Sequence, residues 1–290
     1  MYSVMKHYQA QSIDEACRIL SREPDTRPIA GGTDLLVKLR HQPREGTSYV
    51  QVSSIPALYG IRLTEEGDIE IGAAETFTRI WENALIREQV QLLSEAAVSM
   101  GGPQIRNVAT IGGNVCNGAV SADSAASLFA LDARLHLASV HGERVAPIRE
   151  FYLGPGRVDL RAGELLTKIV LPRSGRQGEG SCYLKYSMRE AMDIATLGVA
   201  ATCTLAADGS IRALCLAATV VAPTPVRLTS CETAAVGMMP TEENLRKIAA
   251  LCTRETHART SWRASREFRE HILTVYLRRA ALAAAQRAAK

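Results

Sequence analysis

Residues 107–128, "NVATIGGNVCNGAVSADSAASL", place a glycine pair, several amides, one cysteine and one aspartate in a stretch with little hydrophobic periodicity. By itself this is either a flexible connection or a loop that grips a ligand. A second pair, far upstream, bears on the choice: "AGGTD" at 30–34 echoes "TIGGN" at 110–114, each beside a β-like run and each carrying a Thr or Asn. Glycine pairs let successive backbone N–H groups turn outward and let a ligand approach the main chain. A pyrophosphate can be held that way, through amide dipoles, neutral side-chain donors and a helix N-terminus, without arginine. One pair is compatible with a plain turn, whereas two similar pairs in different parts of one lobe point to a clamp.

The familiar nucleotide signatures are missing, both G-x-G-x-x-G after a strand and G-x-x-x-x-G-K-[ST]. "GPGRVD" at 154–159 lacks a third glycine and reads as a turn.

Near the amino terminus, Ser12 and Glu15 form a capping box ahead of Ile13, Ala16, Ile19 and Leu20, which predicts a helix over 13–22. "RPIAGGTDLLVKLR" reads as a short strand, a glycine loop, and a helical or extended run from Leu35. "SYVQVSS" and "DIEIGAA" read as strands, "FTRIWENALI" as a helix started by Thr76, and "QVQLLSEAAVSM" as a helix closed by Gly101, Gly102 and Pro103. A short helix is expected near 124–131, then strands in "RLHLASV", "ERVAPI" and "ELLTKIVLP". The polar, glycine-rich stretch at 172–182 marks the best boundary, giving domains 1–175 and 180–290. Beyond it three strands suggest an antiparallel meander turned at "ADGS". Two final helices start at Thr241 and near Ser265.

The 290 residues are 47% hydrophobic and 22% charged, an ordinary globular balance with room for two domains or lobes. A net charge of +4 does not suggest nucleic acid, although basic residues concentrate near the carboxyl end, where a solvated face or a docking surface for an acidic partner are the two readings. There is no secretory leader and no membrane-length apolar run, so a cytoplasmic location is expected. Seven cysteines without a C-x-x-C pair, and six histidines without a ligand grouping, give no sign of a disulfide scaffold or an intrinsic metal site. Cys116 lacks a resolving partner and reads as a small buried side chain.

Four ordered segments carry a resemblance: "PIAGGTDLLV", "GPQIRNVATIGGNVCNGAVSADS", "LKYSMREAMDIATLGVAA" and "TSWRASREFR". Together they resemble the FAD-binding subunits of molybdenum hydroxylases, those of the bacterial xanthine dehydrogenase type, nearly end to end. The resemblance implies an α+β fold: a two-lobed FAD-binding domain of the vanillyl-alcohol oxidase type, followed by a smaller α+β domain. It implies that FAD is the cofactor. Arg27, Pro28, Ile29, Ala30, Gly31, Gly32, Thr33 and Asp34 would clasp its diphosphate from one side, and Ala109, Thr110, Ile111, Gly112, Gly113 and Asn114 from the other. Met100 and Asp123 would contact the cofactor, Leu165 would lie against the flavin ring, and Lys185 near its polar edge. Without the resemblance, Leu165 reads as strand core, Lys185 as a solvated strand residue and Asp123 as a helix N-cap. Arg189 and Asp193 either line a nicotinamide entry or close a polar network.

The resemblance further implies a molybdenum-pterin catalytic subunit and a 2Fe-2S subunit as partners, with NAD as electron acceptor and xanthine as the complex's substrate. Related complexes that oxidise aldehydes, nicotinate or carbon monoxide are an alternative, as is a scaffold subunit that has lost flavin. No general base is evident in the chain.

Overall fold

The structure, a computed structural model, describes residues 4–41, 47–173 and 179–290. Its first lobe is a small parallel sheet with Ser48–Gln51 between His7–Gln9 and Thr26–Ile29. Helix Ile13–Arg22 buries Ala16, Cys17 and Leu20 in this lobe's core. Its start follows the predicted cap: Ser12 Oγ accepts the Glu15 N–H, while the Glu15 carboxylate accepts from Gln11, one residue earlier than a reciprocal box requires. The run from Leu35 is helical, Leu35–His41.

The second lobe is a five-stranded antiparallel sheet in the order Ile61–Leu63, Ile69–Gly72, Leu165–Leu171, Arg134–Ser139, Gly142–Pro147. The helix expected in "FTRIWENALI" is two, Phe77–Glu82 and Ala84–Gln89. Asn83 divides them, because its extended backbone ends the first while its side-chain oxygen accepts the Ile86 N–H and caps the second. Helix Gln91–Ser99 ends before Gly101, as expected, yet Pro103 opens a further helical turn, Pro103–Arg106, where its missing N–H costs nothing.

The carboxyl-terminal part is an antiparallel meander of Glu179–Tyr186, Leu197–Leu205 and Ile211–Thr219, with Val226–Arg227 at one edge. The "ADGS" turn has Gly209 at φ +83°. Thr241 and Ser265 cap helices Glu242–Ala249 and Arg266–Ala288, each accepting an N–H three residues on. Helix Thr229–Ala235 is additional to those expected; Leu228 precedes it and no side chain caps it. "LGVAATCTL" carries no charge and is apolar apart from Thr202 and Thr204 because its strand is covered on both faces. Tyr183, Ala200 and Ala217 join the core of the second lobe, while their neighbours Cys182, Val199, Ala201, Leu216 and Ala218 join the core under helix Arg266–Ala288. The expected boundary at 172–182 falls partly on 174–178, outside the described residues.

No helix among the described residues is long and apolar enough to cross a membrane.

Candidate cofactor site

The stretch 107–128 folds mostly as two short helices, Ile111–Cys116 and Asp123–Ala130, rather than as a loop. Periodicity could not show the first, because its six residues include two glycines and span under two turns. It is nucleated by its cap and by neighbours: Thr110 Oγ1 accepts the Gly113 N–H at 3.1 Å, Ile111 N–H goes to the Glu75 carbonyl at 3.0 Å and Gly112 N–H to that of Ala73 at 2.9 Å. With Asn114 N–H on the Thr110 carbonyl, every amide from 111 to 114 is used inside the protein.

The first glycine segment is the opposite case. The amides of Gly31, Gly32, Thr33 and Asp34 donate no hydrogen bond among the described residues. Gly32, at φ +67°, turns the chain through a region that residues with a Cβ avoid. Gly31 lies against the other segment so tightly that an added Cβ would sit 1.8 Å from the Val108 carbonyl oxygen. Lys38 reinforces the junction, its ammonium 2.5 Å from the Asp34 carboxylate and 2.7 Å from the Asn117 side-chain oxygen. The two segments thus meet but play different parts: the first presents free donors, and the second is the wall that shapes it.

They border a cleft of about 1120 Å³. That is just above the roughly 300–1,000 Å³ usual for small-molecule sites and suits a ligand as large as a dinucleotide. Residues 27–34, Met100, Ala109, Thr110, Gly112, Gly113, Asn114, Asp123 and Leu165 line it. Two expected residues stand apart. The Ile111 side chain is fully buried in the second lobe's core. Lys185 lies behind Asp123, its ammonium 3.0 Å from the carboxylate, 3.0 Å from the Ser99 carbonyl and 2.9 Å from that of Asp193. All three of its protons are committed, so it acts on the cleft as a fixed charge and not as a solvated strand residue. Asp123 is the first residue of its helix and does not cap it; the cap position is Ala122, without a side-chain bond. Burial pushes the Asp123 carboxyl up to about 6, against the pull of Lys185 and the Tyr183 hydroxyl.

Burial likewise pushes the Cys116 thiol up to about 12, which removes it as a nucleophile although it borders the cleft. The Asp193 carboxylate accepts the N–H groups of Arg189 and Ile194, and Arg189 donates to the Met192 carbonyl at 2.6 Å. The pair therefore closes a polar network, and it does so on the cleft rim. Sequence reasoning missed two further segments that border the cleft. The "GPGR" turn lines the cleft because Gly156 N–H bonds the Gly118 carbonyl at 2.9 Å, a pairing across 38 residues with no local signal. Trp262 and Arg263 reach the same cleft from the carboxyl-terminal part.

Thr110→Ala is expected to cost about 1 kcal/mol, the usual loss of an N-cap, read as a lower melting temperature together with weaker FAD binding.

Residues 3–174 match the family described as the FAD binding domain in molybdopterin dehydrogenase. The chain belongs to that family. Residues 182–284 match a second one, the CO dehydrogenase flavoprotein C-terminal domain. As a member of this FAD-binding family, the chain is 40% identical over 273 residues to a xanthine dehydrogenase FAD-binding subunit of Escherichia coli O157:H7, covering 94% of this chain and 93% of the relative. It is 31% identical to a carbon monoxide dehydrogenase medium chain of Afipia carboxidovorans, covering 97% of each. Among solved structures, reconstituted CO dehydrogenase from Oligotropha carboxidovorans superposes with a TM-score of 0.94 at 29% identity, covering 99% of each chain. FAD is the cofactor of the family, and the cleft fits it: four amides unpaired among the described residues for a diphosphate, held where Gly31 lets its segment close on the backbone of Val108.

Proposed function

We propose that the chain is the FAD-binding electron-transfer subunit of a xanthine dehydrogenase-type complex, taking electrons from 2Fe-2S clusters of one partner, fed by a molybdenum-pterin catalytic subunit, and passing them to NAD. The observation that carries this reading is the row of amides at Gly31–Asp34, unpaired among the described residues, in a segment that borders a cleft of about 1120 Å³. The xanthine assignment is supported by the 40% identity to the Escherichia coli subunit. Carbon monoxide dehydrogenase relatives, at 31%, support the coarser family role and favour the alternative less. The same reading divides the chain into 1–175 and 180–290, supported by family matches that stop at 174 and resume at 182.

FAD, when bound, supplies the conversion between single-electron and hydride transfer. The chain's own residues bind and orient. The amides of Gly31–Asp34 would receive the diphosphate, and Thr110 keeps the opposing wall in place. Leu165, 4% exposed where the first lobe's core meets the cleft, would offer the ring an apolar wall. Lys185, held by Asp123 and two carbonyls, would set its positive charge behind the Asp123 wall of the cleft, where it would act on the ring electrostatically.

The test is purification from the native host with flavin, iron and molybdenum analysis. The expected result is one FAD per chain, with iron and molybdenum present only while partners remain bound. The isolated FAD-loaded chain should oxidise NADH with an artificial acceptor and leave xanthine untouched. Turnover of xanthine by the isolated chain, or a colourless protein, would overturn the proposal.

A further inference from the structure

Arg269 is 3% exposed and has no carboxylate partner among the described residues. Its guanidinium donates to the Thr196 carbonyl and, at 2.9 Å, to the Ser261 hydroxyl, while its Nε finds no acceptor. It sits in the first turn of the 23-residue helix Arg266–Ala288, at the end whose dipole is itself positive. Arg259 and Arg263 lie close enough to push its pKa down further after burial has done so. A buried cation among cations is costly unless an anion completes the set.

What stands over this cluster is exposed. Trp262 is 76% exposed, with the Arg263 guanidinium 4.2 Å from its ring centre, and the Arg263 Nε is buried without an acceptor. Met192 and Ile194, each at least half exposed, border the same cleft mouth. Tryptophan, methionine and arginine around a charged centre are the composition of a protein interface. The loop is also poorly equipped for phosphate, since the N–H groups of Ser261, Arg263, Arg266 and Phe268 are all used within it. Recognition is left to side chains.

We propose that Arg259, Trp262 and Arg263, backed by Arg269, form the docking point for an acidic segment of the electron-donating partner subunit, whose carboxylates complete the arginine cluster at the mouth of the cofactor cleft. Arg269 is a positioning residue: through Ser261 it holds the Trp262–Arg263 pair, and through the Thr196 carbonyl it ties that pair to the chain just beyond the rim residues Asp193 and Ile194. The inference rests on the electron-transfer reading above.

The test compares tagged wild type with Arg263→Glu, Arg259→Glu/Arg263→Glu and Trp262→Ala, each purified from the native host. FAD per chain, iron and molybdenum per FAD, and the melting temperature are measured. The expected result is full FAD and an unchanged melting temperature, with iron and molybdenum per FAD falling at least tenfold in the charge reversals. Arg263→Lys should retain the metals at low salt and lose them as salt rises. Wild-type metal content in the double reversal would overturn the docking proposal while leaving the flavoprotein reading intact. So would a loss of FAD, which would assign the residues to the cofactor pocket, or a raised KM for NADH with assembly unchanged, which would make this a dinucleotide site. If wild type itself carries no FAD or no metals, the underlying reading fails first.

Discussion

Gly31→Ala is expected to leave the protein unable to retain FAD through a desalting column. The new Cβ would lie 1.8 Å from the Val108 carbonyl oxygen, so one segment must retreat by roughly 1.5 Å to reach ordinary contact. Both are backbone, and no rotamer change relieves the clash. Overpacking of this kind costs about 1–3 kcal/mol and occasionally more, here at the junction that aims four free amides into the cleft. That corresponds to roughly a 5- to 150-fold loss in affinity, measurable by flavin fluorescence titration of the apoprotein. Gly32→Ala is the contrast. Its φ of +67° strains any residue with a Cβ, but the nearest atom is the flexible Leu36 side chain at 3.1 Å, so a smaller loss, about 1 kcal/mol, is expected. A reversed order would mean that turn conformation, and not contact between the segments, shapes the site.

Lys185→Met is expected to destabilise the fold by about 3–5 kcal/mol, the range for breaking a buried pair by removing one partner. It would leave Asp123 buried without a countercharge and strand the Ser99 and Asp193 carbonyls. The double change Lys185→Met/Asp123→Leu should recover part of that loss, because no lone carboxyl remains. The pair also fixes a pH dependence. With the Asp123 carboxyl at about 6 in the fold and near 3.8 when unfolded, the folded state holds the proton more tightly. Its contribution is therefore fully present below about pH 3.8 and is lost as pH rises through about 6. Relative to Asp123→Asn, which cannot titrate, wild type should lose stability between pH 4 and 6. The loss is on the order of 3 kcal/mol, since each tenfold difference in proton affinity between the two states is worth about 1.4 kcal/mol. Urea unfolding of both proteins across that range measures it; parallel curves would show that Asp123 is not the group responsible.

Elements with local signals are legible in the chain alone. Ser12, Thr241 and Ser265 each announce a helix start, because a cap needs only a side-chain oxygen and an N–H three residues away. The meander is legible from apolar runs and one turn glycine, and the two glycine pairs from their likeness to each other. The remainder depends on residues brought together from afar. Helix Ile111–Cys116 forms because Ala73 and Glu75, more than 30 residues earlier, accept its first amides, so its pair of glycines builds a wall where the matching pair presents donors. Asp123 is half of an ion pair and not a cap because strand Glu179–Tyr186 brings Lys185 and Tyr183 to it across about 60 residues. Arg269 is buried without a countercharge among the described residues because Thr196 and Ser261, from two distant segments, converge on it with neutral acceptors. Which groups are unpaired is a property of the whole fold, since each N–H or charge is satisfied or left free by residues that no local window contains.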